Sequence, residues 1–161
     1  VSKYRLYKCT WQVGDVYAYR LESEYSREKG FYGKYIIFQK VGETECWPGH
    51  IIPIVVVYRW IGAEIPRMEE LRKLEFLNQI RPVSLMGRTQ EECYHRELVC
   101  ESEKKIPVTQ LILLGNQKPR EKTVVKKDRC NCMGWEKTKI NWTIEKETID
   151  LYLAWQEHDN A

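Results

Sequence analysis

The sequence predicts an α+β fold: a bent, mainly antiparallel sheet, or a small half-open barrel, with two flanking helices. Three observations carry this expectation. Four runs rich in β-branched, leucine and aromatic residues are set off by glycine, proline or asparagine. Two stretches place apolar residues at intervals of three and four. The order of these segments is strands, helix, strand, helix, rather than the strand-helix-strand alternation of a parallel sheet.

The first run, Val16 to Leu21 (VYAYRL), follows Gly14-Asp15, a turn-forming pair, and reads as a strand. Tyr35 to Val41 (YIIFQKV) follows Gly30 and Gly33 and stops at Gly42, and Ile51 to Trp60 (IIPIVVVYRW) is the longest β-type run. Pro53 cannot donate to a ladder, so the irregular part of that strand is expected there, with regular pairing from Ile54. After Pro66 the period changes. Met68, Leu71, Leu74 and Leu77 recur at helical spacing, and Glu69 precedes Lys73 by four residues, which predicts a helix over 67–78. The segment 81–105, with Pro82, Gly87 and mixed charge, is not assigned. Val108 to Leu114 (VTQLILL) ends at Gly115-Asn116 and reads as a strand. Ile144, Thr148, Leu151, Tyr152 and Trp155 form one stripe of a helix over 144–157, with Glu145 and Glu147 at its positive end.

The chain has 161 residues, 43% of them hydrophobic and 30% charged. That is the size of one domain, taken as 1–161, able to bury a core without metals or disulfides. No apolar run approaches the eighteen or so residues of a membrane span, so no membrane association is expected. The six cysteines are not needed as a framework, and the first residues show no apolar signal core, so the expected compartment is the cytoplasm. The net charge of +3 is small but uneven: residues 104–139 hold ten basic and three acidic side chains, a basic surface or simply a solvated loop.

The most unusual string is Cys46-Trp47-Pro48-Gly49-His50, a large aromatic, a turn and an imidazole between two strands. Trp47 and His50, with Tyr32 from the Gly30–Gly33 loop, form the candidate partner-binding set, because aromatic side chains dominate binding energy and histidine both donates and accepts. The alternative is that Trp47 covers the open end of the sheet and His50 satisfies a carbonyl. A zinc site could draw on Cys9, Cys46, His50, Cys93, His95, Cys130 and Cys132, but Cys93-Tyr94-His95 and Cys130-Asn131-Cys132 leave one residue between ligands where structural sites use two to four. No metal and no cofactor are expected. There is no phosphate loop, nucleophile elbow or zinc-protease helix, so no catalytic residue is assigned and a binding protein is the simplest account. Tyr17 and Tyr19, on one face by period two, could stack RNA bases, but such a face is more often core.

Trp11-Gln12-Val13-Gly14-Asp15-Val16-Tyr17-Ala18-Tyr19 resembles the start of the bacterial proteins grouped as immunity protein 26. Gly33-Lys34-Tyr35, Trp47-Pro48-Gly49-His50-Ile51-Ile52-Pro53-Ile54, and Ile106-Pro107 through Leu113-Leu114-Gly115-Asn116 extend that resemblance over most of the chain. It implies a small cytoplasmic β-rich protein that binds and blocks a cognate toxin, and it assigns no residue roles. The succession Gly14-Asp15-Val16, the loop at 30–33 and the strands at Tyr35 to Phe38 and Ile51 to Val57 are also similar to the opening of the MazF and PemK toxins, barrels that cleave RNA. This second resemblance implies an RNA-binding or RNA-cleaving alternative with Arg20, Lys34 and His50 for phosphate stabilisation and acid/base work. Those toxins usually carry an Arg-Pro pair where this chain has Gly33-Lys34-Tyr35.

Overall fold

The structure is a computed structural model that describes residues 9–47, 50–77, 98–100, 106–120, 139–142 and 144–160, with backbone alone at 44–47, 50, 52, 98–100 and 139–142. Among these residues six strands form one sheet: β1 Asp15–Arg20, β2 Tyr35–Trp47, β3 His50–Gly62, β4 Leu98–Cys100, β5 Leu111–Asn116 and β6 Lys139–Trp142. Their order is β5-β1-β2-β3-β4-β6. All neighbours are antiparallel except β4 and β6. Among the described residues three helices accompany the sheet: α1 Glu24–Glu28, α2 Met68–Leu71 and α3 Lys146–Asp159.

The α+β expectation holds, with an open sheet. Among the described residues β5 and β6 are its two edges, so the barrel alternative does not form. The reason lies in β1. Its period of two sends Tyr17 and Tyr19 to one face and Val16 and Ala18 to the other, and all four are buried. The tyrosine face packs with Leu21, Ile36, Phe38, Val55 and Val57 against Ile149, Leu151, Tyr152 and Trp155 of α3. The opposite face packs Ile37 and Tyr58 against Leu71, with Met68, Leu74 and Phe76 alongside. A sheet covered on both faces has no single interior to close around. No helix among the described residues is long and apolar enough to cross a membrane.

The central hairpin is longer than its apolar runs. β2 and β3 each have 13 residues and pair from Tyr35↔Gly62 to Trp47↔His50, through Thr44 and Glu45, because backbone bonding propagates a ladder whatever the side chains. Contrary to expectation, the ladder is in register through Pro53, from Glu45↔Ile51 to Gly42↔Ile54, and shifts beyond Ile54, between Lys40 and Gly42 and between Ile36 and Phe38. The strand expected over 108–114 begins later: Val108–Gln110 is a 3-10 turn, and β5 runs on to Asn116.

The helix expected over 67–78 is a single turn. After Leu71 the amides of Lys73 and Leu74 bond three residues back, and the chain then runs beside β3, where the Arg59 amide donates to the Glu75 carbonyl and the Leu77 amide to the Val57 carbonyl. Leu71 and Leu77 are buried and Met68 and Leu74 half-buried, so the stripe is real but is divided between a helical turn and an extended segment. Gly14 fixes the entry to β1. Its φ is 97°, and a Cβ there would sit 2.6 Å from the Gln117 carbonyl oxygen.

Candidate functional site

The ends of β1, α1 and α3 meet around one cleft. Leu21 leaves β1 with its amide on the Lys34 carbonyl, and the chain turns into α1 at Ser23, whose Oγ accepts from the Ser26 amide at 3.0 Å. Glu145, the residue before α3, reaches across to this turn. Its carboxylate accepts from the backbone amides of Glu22 at 3.0 Å and Ser23 at 2.8 Å. The Gln110 amide nitrogen donates to the Tyr19 hydroxyl at 3.1 Å, to the Arg20 carbonyl at 2.8 Å and, more weakly, to Glu145 at 3.4 Å. Glu145 is thus 7% exposed yet held by hydrogen bonds. The cleft beside it measures about 540 Å³ and is lined by Tyr19, Tyr25 and Ile144 together with Glu22, Glu145 and Lys146.

The cleft is lined by charges of both signs, Glu22 and Glu145 with Lys146. Burial pushes the Tyr19 hydroxyl well above the ordinary phenol value, and the negative charge of Glu145 pushes it further in the same direction. Tyr25, which donates to the Asp150 carboxylate, is likewise raised. Both phenols therefore remain neutral donors at neutral pH. Glu145 itself has no ion-pair partner among the described residues. Glu22 pairs with Arg20. The Lys146 ammonium sits over the Tyr25 ring at 5.9 Å rather than on Glu145.

The residues singled out from sequence are not brought together. Tyr32 lies in the turn between α1 and β2, 46% exposed, with the Arg27 guanidinium 3.9 Å from the centre of its ring. Trp47 and His50 are cross-strand partners at the other end of the hairpin. A straight strand of that length spans roughly 40 Å, so Tyr32 shares no small site with them. Arg20 and Lys34 lie at the Tyr32 end, since Arg20 pairs with Tyr35, and are therefore far from His50. Tyr17 and Tyr19 are core residues. Of the zinc candidates, Cys9 places Sγ 3.4 Å from the Lys40 ammonium. Cys46 and His50 are described by backbone only, and Cys93, His95, Cys130 and Cys132 lie outside the described residues. Among the described residues no three His, Cys, Asp or Glu side chains converge as metal ligands.

Most of the basic stretch 104–139 also lies outside the described residues, but Arg120 is within them and is committed to structure. Its Nη2 donates to the carbonyls of Leu71, Arg72 and Leu74 at 3.2, 3.2 and 2.6 Å, and its guanidinium covers the Phe76 ring at 4.4 Å. Sequence reasoning missed Gln110 and gave Glu145 only a dipole role. The available signal was a lone amide in the apolar run VTQLILL, because an isolated polar residue in buried surroundings must find partners. Searches of protein-family models, of curated proteins and of solved structures find no match to this chain.

Proposed function

We propose that this protein is a non-catalytic, immunity-type protein that neutralises a cognate bacterial toxin by binding it. The observation that carries the reading is the β5 edge. β5 pairs only with β1 among the described residues, and beside its unpaired backbone Ile112 is 43% and Leu113 57% exposed, with Val108 82% exposed in the turn before it. An apolar edge with unsatisfied amides and carbonyls is a template for an added strand or an apolar partner surface. The resemblance of Trp11 to Tyr19 and of the later strings to immunity protein 26 supports a toxin as that partner.

The test is co-expression with the toxic domain encoded beside the gene. The wild-type chain is expected to restore growth, and Leu113→Lys to lose protection while folding normally. Equal killing with and without the chain overturns the proposal, and cleavage of single-stranded RNA by the purified chain replaces it with the enzyme alternative.

A further inference from the structure

We infer that the recess bounded by β2, β3, the end of α2 and the chain just after β5 is a binding site for hydrogen phosphate. It measures about 210 Å³ and is lined by Gln39, Tyr58, Arg72, Gln117, Lys118 and Arg120. None of the exposed β5 residues takes part, so this site and toxin binding stand or fall separately.

Two buried polar groups of this recess have no partner among the described residues. Tyr58 is 2% exposed, yet its hydroxyl makes no hydrogen bond with any of them. Gln39 is equally buried; its Nε2 donates to the carbonyls of Gly14 at 3.2 Å and Gln117 at 2.8 Å, and no described donor reaches its Oε1. Buried polar groups are nearly always satisfied, by protein, water or ligand, so such a pair points to something bound between them. Both line a space set among positive charges. Arg72 and Lys118 are exposed and pair with no carboxylate of the described residues. Arg120, whose guanidinium covers the Phe76 ring at 4.4 Å, brings a third cation beside Tyr58, because the Tyr58 and Phe76 rings pack at 4.8 Å. No Asp or Glu among the described residues lines the recess.

Chemistry selects among ligands. A single water needs roughly 10–15 Å³ of such space, so the recess admits a polyatomic ligand. The hydroxyl and the three cations call for negatively charged acceptor oxygens, which phosphate, sulfate and carboxylates all supply. Gln39 and Gln117 narrow the choice. The Gln117 Nε2 is spent on the Met68 carbonyl at 2.8 Å, as the Gln39 Nε2 is on Gly14 and Gln117, so what either side chain offers a ligand is an acceptor oxygen. The bound anion must therefore also donate. Hydrogen phosphate carries one P–OH beside its charged oxygens, whereas sulfate, carboxylates and the dianions of phosphate monoesters carry none.

The experiment is an NMR titration of the isotope-labelled full chain at about pH 8, where hydrogen phosphate and sulfate carry nearly the same charge. The probes are potassium phosphate, sulfate, methyl phosphate and chloride at matched ionic strength. Phosphate is expected to give saturable shifts in the Tyr58 ring and the Gln39 and Gln117 side-chain amides. Sulfate and methyl phosphate should bind about tenfold more weakly, as for loss of one hydrogen bond to a charged group, and chloride should give no saturable shift. Tyr58→Phe should weaken phosphate about tenfold while leaving the urea midpoint in phosphate-free buffer unchanged or raised, because the hydroxyl it removes has no described protein partner. Lys118→Gln, an exposed change, should weaken phosphate and sulfate alike. Phosphate shifts that do not saturate or lie elsewhere, chloride acting as phosphate does, or unchanged phosphate affinity in Tyr58→Phe overturns the site. Sulfate or methyl phosphate binding as tightly as phosphate overturns the assignment of the ligand.

Discussion

Lys40 occupies a position where a hydrocarbon side chain would fit. It is fully buried in β2, and its ammonium donates to the Trp11 carbonyl, to Glu43 at 2.7 Å and to the Cys9 sulfur. Glu43 is partly exposed, so its charge can be solvated without the lysine, whereas Lys40 without Glu43 keeps a charge in the core. Glu43→Ala is therefore expected to cost about 3 kcal/mol and Lys40→Met less than about 1 kcal/mol in urea unfolding. Tyr58 yields a pH prediction. Burial raises its hydroxyl above the ordinary value of 10.0, against a smaller opposing effect from Arg120. The folded chain thus holds that proton to higher pH than the unfolded chain does, and the contribution is complete below about pH 10 and lost as pH rises beyond it. The urea midpoint should fall more steeply above pH 10 in the wild type than in Tyr58→Phe. Neither residue's role was fully legible. YIIFQKV identifies a strand, but alternation does not say that both faces will be covered, and only that covering turns Lys40 inward to the core.

Strands were more legible than helices because period two survives burial on either face, whereas spacing by three and four residues is shared by a helix and by a turn that leads into an extended segment. The run Met68, Leu71, Leu74, Leu77 is the second case. What ends α2 is a competing set of acceptors and donors: β3 takes the backbone at Glu75 and Leu77, and Arg120 takes the carbonyls of Leu71, Arg72 and Leu74. A guanidinium 46 to 49 residues away in sequence has no local signature. Arg120→Met retains apolar cover for Phe76 but takes the guanidinium from the Arg72 and Leu74 carbonyls, while the Leu71 carbonyl keeps the Leu74 amide, and should lower stability by roughly 1–3 kcal/mol. Hydrogen exchange should accelerate first at the amides of Arg59 and Leu77, which tie this segment to β3.

At the scale of the whole molecule, the sheet order puts β5 at an edge among the described residues, so a substitution there can test the proposed binding apart from stability. Leu113 is on the outer strand and more than half exposed, so Leu113→Lys should change the unfolding free energy by no more than about 0.5 kcal/mol. If the edge is the contact surface, the same variant loses capture of the toxin in a pull-down at unchanged thermal midpoint. The general architecture followed from composition and periodicity, while the cleft did not, since it joins the turn at Ser23 to Glu145, a separation of 122 residues.

That separation has a consequence for biosynthesis. A ribosome releases Ser23 roughly ten seconds before Glu145 at ordinary elongation speeds. During that interval the amides of Glu22 and Ser23 must rely on water, so the entry to α1 acquires its carboxylate partner only once the start of α3 has been made.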